Sequence, residues 1–227
     1  MVYISVYFRA EIMNMPAISK REQIISHALN LFYQHGFNAT GIDKIIKDAG
    51  VSKKTLYNHF HSKDELVLAT LRKRDELFRN NLMRETERLG HTPRERLLSL
   101  FDAVHAWFNE ASFSGCMFIN ASAEFSELDN PNHLVCAEHK RLVRDYIKSL
   151  ALQANANDPE ELANRLNLII EGAIVNAHVE GNKDAAKRAK IMGEVFINMA
   201  FQDWTTSVNA VISSPLERCD IFTYRPY

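Results

Sequence analysis

The stretch GVSKKTLYNHFHSKDEL, residues 50–66, limits what this chain can fold into more than any other. Gly50 is suited to a left-handed helix stop, and Ser52, two residues later, is suited to capping a new helix. That helix has room for only about two turns before Ser62 opens another. Its apolar anchors, Leu56 and Phe60, are spaced i and i+4, so one narrow face packs and the rest stays in water. A helix this short is not stable alone. It must lie against the equally short helix before it, in which Ile42, Ile45, Ile46 and Ala49 fall at i, i+3, i+4 and i+7. Two short helices joined by AGVS, the second of them polar, describe a helix-turn-helix, whose second helix enters the major groove of DNA.

The remainder carries helical periodicity without sustained strand alternation, which predicts an all-α protein. Ser19 precedes Ile24, Ile25, Ala28, Leu29 and Phe32 on one face, with Gly36 as the stop. Thr40 is expected to cap the second helix. Ser62 and Glu65 are spaced as a capping box and open a long charged helix that closes at Gly90. Thr92, Pro93 and Glu95 begin a helix expected to reach about Glu110, and Asn130-Pro131 and Asp158-Pro159 begin two more. CMFINASAEFSEL, from Cys116, reads as a shorter helix, and a last one is expected from Asp184 to about Thr206. The expected organisation is a tail over 1–18, a three-helix DNA-binding unit over 19–66, a helical effector-binding and dimerisation domain over 67–208, and a tail over 209–227.

Charge is divided along the chain. Residues 1–90 hold 14 Lys/Arg against 10 Asp/Glu, giving +4, while residues 91–227 hold 13 against 18, giving −5. A basic first part facing an anion fits this asymmetry. Cys116, Cys136 and Cys219 are odd in number and lack paired metal-ligand spacing, which argues against a disulfide framework or a zinc finger. No apolar run approaches the roughly 20 residues of a membrane span, and the chain is read as cytoplasmic.

With Leu56 and Phe60 turned inward, Ser52, Lys53, Lys54, Thr55, Asn58 and His59 point outward. Lysines suit phosphates or guanine edges, and Thr55 and Asn58 suit base edges. Tyr57 and His59 suit backbone oxygens. The N-termini of the second and fourth helices, with Thr40 and Lys63 close by, suit further phosphates, and Arg21 on the first helix joins this DNA-facing set. In the second half, Leu162, Leu166, Ile169, Ile170 and Ile174 make one helix apolar on more than one side. Ile191, Met192, Val195, Phe196 and Met199 do the same for the last. Such a pair needs a second partner, which predicts a two-fold dimer through a four-helix interface.

Polar side chains on apolar faces mark a candidate effector pocket. His105 lies among aromatics, Asn120 and Glu124 lie one turn apart, and Glu171 and His178 fall seven residues apart. Phe101, Phe108, Met117 and Phe125 complete the expected lining, which suits an apolar compound carrying one polar group. Glu124, His139, Glu171 and His178 form a conceivable oxygen and nitrogen metal set, kept as the alternative of a metal-responsive regulator. Neither metal nor cofactor is expected. No His-Glu-x-x-His, Gly-x-Ser-x-Gly or phosphate-binding glycine loop occurs, so the chain is not read as an enzyme; a helical-bundle hydrolase is the more distant alternative.

Residues 19–66, SKREQIISHALNLFYQHGFNATGIDKIIKDAGVSKKTLYNHFHSKDEL, resemble the DNA-binding domain of the TetR family of bacterial transcriptional regulators. The amphipathic first helix, GFNATGIDKI, AGVSKKTLYNHF and SKDEL follow one another at that family's spacing. FSGCMFINASAEF and NLIIEGAIVNAHVEG resemble stretches in one of its branches. Lys54 stands where the family usually has a small residue, and His61 where it often has proline. The resemblance implies an all-helical homodimer whose C-terminal domain binds a small effector and releases the protein from double-stranded operator DNA, hence a repressor.

Overall fold

The computed structural model describes residues 18–202, and every regular element among them is a helix. In chain order these are α1 (Lys20–His35), α2 (Ile42–Ala49), α3 (Lys53–His59), α4 (Lys63–Leu89), α5 (Pro93–Phe108), α6 (Met117–Glu124), α7 (Pro131–Gln153), α8 (Pro159–Val179) and α9 (Ala185–Met199).

Local chemistry accounts for most of the boundaries. Ser19, Ser52, Ser62, Thr92 and Asp158 each accept the backbone N–H three residues on, filling one of the orphan donors of a helix start. At Thr92 the box closes reciprocally, with the Glu95 carboxylate accepting the Thr92 N–H. Gly50 ends α2 at φ 59°, a left-handed conformation that a side chain would strain. Four starts and stops differ from expectation. Thr40 is fully buried, its hydroxyl donating to Gly36 O at 2.7 Å, so the cap of α2 falls to Gly41, which has no side chain to offer. Glu65 reaches past Ser62 to the His61 N–H, 2.7 Å away. Helix α5 ends at Phe108, and the expected last helix ends at Met199; residues 203–206 of it, residues 1–17, the tail over 209–227 and Cys219 lie outside the described residues.

Helices α1–α3 close around Ile24, Ala28, Phe32, Phe37, Ile45, Leu56, Phe60 and Leu66, all essentially inaccessible. Helix α4 then passes from this unit into the larger bundle, packing on α1 at one end and on α5 and α7 further along. Helices α8 and α9 pair with each other, and α5 lies against α9 so closely that a Cβ on Gly193 would sit 2.6 Å from Phe101 Cε2. One continuous apolar cluster runs from Ile24 to Ile197, so no seam separates the small unit from the large one.

On α8 the expected interface residues Leu162, Leu166, Ile170 and Ile174 are buried in the chain's own core. The apolar side chains that α8 leaves in water are Leu168, Val175 and Val179, one helical face away. On α9, Met192, Val195 and Met199 are exposed and Phe196 is half-buried, together with exposed Ile191. The two-sided apolar pattern is thus present, but periodicity alone assigned the wrong side of α8 to the outside. Among the described residues no helix is long and apolar enough to cross a membrane.

Candidate nucleic-acid interface and effector cavity

Helix α3 is held from behind by Leu56 and Phe60, both at 0% exposure, so its register on α1 and α2 is fixed by two side chains. Ser52, Lys53, Lys54, Tyr57, Asn58 and His59 are exposed around it, and Thr55 is half-exposed. The Ser52 and Thr55 hydroxyls lie 2.8 Å apart, which orients Thr55 at the start of the helix. Lys53 is 3.7 Å from Asp43 with both groups open to water, so this pair restrains the ammonium little. Arg21 is exposed and lies over the Phe60 ring at 5.1 Å, bracing α1 on α3 while its charge stays in solvent. Of the expected DNA-facing set only Thr40 is removed. Its burial leaves the first turn of α2 uncapped by any side chain, an arrangement open to an anion.

Lys63, the first residue of α4, donates to Asn38 O at 3.4 Å. The N–H of the same Asn38 donates to Glu124 Oε2 at 2.6 Å, and the Phe37 N–H to Glu124 Oε1 at 2.8 Å. Glu124 therefore does not face a pocket: the last residue of α6, it caps the turn that follows α1. Phe125 beside it meets the Phe37 ring edge-on at 5.7 Å. At the other end of α6, the Tyr33 hydroxyl donates to Gly115 O at 2.8 Å and accepts the Ser114 N–H at 3.0 Å. Helix α6 is thus tied to α1 at both ends, by residues 81 to 87 positions distant in sequence.

The enclosed cavity of the bundle is lined by α4 (Arg74, Phe78, Leu82), α5 (Leu100, Val104, Trp107), α6 with its preceding residue (Cys116, Met117, Phe118), α7 (His139, Lys140, Val143, Ile147) and α8 (Ile170, Glu171, Ile174). Of the nine residues expected there, only Met117 and Glu171 line it. Phe101 packs towards Gly193 and α9, and Phe108 joins a cluster with Trp107 and Phe113. His105 turns outward to Lys183 O at 3.1 Å, and Asn120 donates to Ser114 O at 3.4 Å. His178 is exposed beside Gly115, where a Cβ would lie 2.6 Å from its ring. The residues of the conceivable metal set are accordingly dispersed, and no group of three His, Cys, Asp or Glu side chains among the described residues converges on a point.

Two part-buried polar groupings, legible only in part from sequence, lie in and behind the cavity wall. Asp75 and Arg79 pair at i,i+4 on α4 through two bonds of 2.8 and 2.7 Å, and His139 Nδ1 lies 2.8 Å from Asp75 Oδ1. Burial pushes the Asp75 carboxyl up, but the bonds from Arg79 and His139 outweigh it and hold that carboxyl well below its usual range. Burial also lowers the pKa of His139, against the opposing pull of Asp75. Across the cavity, Lys140 Nζ is 2.5 Å from Glu171 Oε2 and 3.4 Å from Cys116 Sγ. Burial works against that ammonium, yet Cys116 and Glu171 more than offset it and raise its pKa. The i,i+4 pair could be found by spacing; Lys140 and Glu171, on different helices, offered no local signal.

Comparison with known proteins agrees with this architecture in both halves. Residues 24–70 match the family model described as bacterial regulatory proteins, tetR family, and residues 93–192 match that of the tetracyclin repressor-like C-terminal domain. The HTH-type transcriptional activator FasR of Mycolicibacterium smegmatis is 36% identical over 95 residues, 42% of each chain. The HTH-type transcriptional repressor NemR of Escherichia coli K12 is 26% identical over 109 residues, 48% of this chain and 55% of that one. A TetR-family transcriptional regulator from Streptomyces coelicolor superposes with a TM-score of 0.74 at 23% identity, covering 81% of this chain and 96% of the other.

Proposed function

Since this chain belongs to the TetR family of bacterial transcriptional regulators, we propose that it is a cytoplasmic repressor that grips a two-fold operator as a homodimer and lets go when a small molecule enters its bundle. The observation that carries this reading is the outward polar face of α3, set on the buried pair Leu56 and Phe60. Such a helix presents lysines, a hydroxyl, an amide and an imidazole at fixed positions, the groups that phosphates and base edges accept and donate to.

A dimer through the exposed apolar faces of α8 and α9 sets two copies of α3 on one side of the DNA. Its half-sites then lie about 34 to 36 Å apart. Burying Leu168, Val175, Ile191, Met192 and Val195 against a second copy removes an apolar surface that a monomer would leave in water. Release follows from how little space the bundle cavity holds. Its free volume of about 20 Å³ admits about one water, so any larger effector must push the walls apart. Helix α6 supplies one wall and is tied to α1 at Tyr33 and at Phe37–Asn38, with Lys63 on the same Asn38. Displacing α6 therefore moves the DNA-contacting unit, and operator affinity falls by the effector's preference for the opened form.

The experiment is binding of the purified chain to the DNA upstream of its own gene, against random duplex of equal length. Tighter binding to a pseudo-palindromic site, by 10³-fold or more, is the expected result, together with rising reporter expression when the gene is deleted. Equal affinity for both duplexes contradicts operator recognition, and falling expression makes the protein an activator, as FasR is described.

A further inference from the structure

We infer that the effector is a neutral, largely aromatic molecule that presents a hydroxyl group to Nε2 of His139. This rests on the reading above that the bundle cavity is the effector site, and names the chemistry that the site selects.

His139 is 3% exposed, and its orientation is over-determined. Its ring stacks on Phe118 with centroids 3.6 Å apart at 12°, and meets Phe78 edge-on at 5.5 Å. Nδ1 faces Asp75 at 2.8 Å, and that carboxylate is gripped by both arms of the Arg79 fork. An ionised carboxylate only accepts, so Nδ1 carries the hydrogen and Nε2 the lone pair. Burial favours this neutral imidazole over the imidazolium. Among the described residues no donor reaches Nε2, and His139 lines the cavity. The buried ring therefore offers a fixed acceptor that no described group satisfies and that remains free for a guest in the cavity.

The rest of the wall decides what carries that donor. Phe78, Trp107 and Phe118 give flat aromatic surface, and the leucine, isoleucine and valine residues of α4, α5, α7 and α8 close the remainder. Most charges around the wall are engaged. Behind His139, Asp75 is matched by Arg79, and in the wall Lys140 is matched by Glu171 at 2.5 Å. Arg74 has no carboxylate partner among the described residues and lies over the Tyr33 and Phe78 rings at 4.7 and 5.7 Å. A carboxylate entering here would have to draw Arg74 off those two rings or break an ion pair, and an ammonium would have to break one, since buried charge without a partner is strongly disfavoured. A hydroxyl on a ring satisfies Nε2 with no such cost. Selectivity follows, because an analogue lacking the donor forgoes the one hydrogen bond that this acceptor offers.

The test uses 4-propylphenol, its methyl ether 4-propylanisole, and 4-propylbenzoate on the full chain carrying Trp204→Phe, so that Trp107 in the cavity wall alone reports by fluorescence. The phenol should quench saturably, the ether should bind at least about tenfold more weakly, and the benzoate should not bind. In His139→Phe the phenol and the ether should become equal within about twofold. His139→Gln, which retains an acceptor, should keep part of the preference, and helical circular dichroism checks that both variants fold. Equal binding of phenol and ether by the parent chain, a phenol preference that survives His139→Phe, tighter binding of the benzoate, or no binding of any probe would each overturn the inference. Operator affinity measured on the same samples without probe stands apart. Its loss strikes the regulator reading, whereas its presence with any of those outcomes strikes only the assignment of effector chemistry.

Discussion

The two ends of α4 sit in different kinds of packing. At Lys63 the helix joins a unit built from helices of 16, 8 and 7 residues, in which caps and a handful of fully buried side chains leave most polar residues one place to point. Beyond Arg74 it joins helices of up to 23 residues, where a polar side chain can turn towards several neighbours and its partner is chosen by tertiary packing. In the first region the polar residues of α3 are outward because nothing else is available, and Thr40, which turns inward, is satisfied by the Gly36 carbonyl four residues away. In the second, Asp75, His139, Lys140 and Glu171 are inward because each found a partner on another helix or one turn away. The proposed function divides in the same way: a presented surface at one end, the proposed effector cavity at the other, with α6 joined to both.

The largest effects should separate inside from outside on a single helix. Leu166 is fully buried and Leu168 is 74% exposed. Leu166→Glu puts an unpaired charge in the core at a cost of several kcal/mol, about 3–5, and should abolish cooperative thermal unfolding. Leu168→Glu should leave the helical content intact yet raise the dimer dissociation constant at least about 100-fold, because two-fold symmetry applies the charge twice. Analytical ultracentrifugation distinguishes these, and a Leu168→Glu chain that stays dimeric at low micromolar concentration would remove this face from the interface.

Phe60→Ala should come next. Truncating this fully buried ring costs about 3–5 kcal/mol, concentrated in the unit that holds α3. Amide exchange should accelerate in α2 and α3 while α5 and α8 keep their protection, and operator binding should vanish. Uniform acceleration throughout would mean that the two regions unfold as one.

Glu124→Gln probes the tie between the regions. Replacing the carboxylate that accepts from Phe37 and Asn38 weakens two charge-assisted bonds, a loss of about 1–3 kcal/mol. The Phe37 and Asn38 amides should exchange at least about tenfold faster, with the cavity unaltered. Unchanged exchange at both positions would show that α6 does not hold the turn.

Smallest is a pH effect confined to the bundle. Burial holds His139 below the ordinary histidine range, so from about pH 6.5 downward the unfolded chain takes up a proton that the folded protein refuses. Stability should therefore fall as pH drops through that window. His139→Gln should flatten this part of the curve measured by urea unfolding, and an identical slope in both would contradict the neutral buried imidazole.

How far the sequence could be read follows the same division. All nine helices among the described residues, and the caps at Ser19, Ser52, Thr92 and Asp158, were legible because capping is a local event between residues three apart. Thr40 misled because its hydroxyl satisfies the Gly36 carbonyl behind it, a choice between two nearby partners that spacing does not settle. The side of α8 was misjudged because a helix apolar on two faces gives no internal clue to which one its own core takes. His139 shares a helical stripe with Val135, Leu142 and Tyr146, so as a histidine it was visible. Its partner Asp75 lies 64 residues earlier, and the Tyr33 and Glu124 ties span 81 to 87, distances over which pattern carries no information.

The most direct test of DNA binding through the presented surface is the salt dependence of operator affinity for the wild-type chain and for Lys63→Ala, on operator and on random duplex. Removing one phosphate-neutralising ammonium should weaken binding to both and lower the slope of log affinity against log salt by about one. Asn58→Ala in parallel should change preference among operator variants while leaving that slope alone. Affinity and slope unchanged by Lys63→Ala on both duplexes, across several salt concentrations, would contradict the docking of α3 and the start of α4 on DNA.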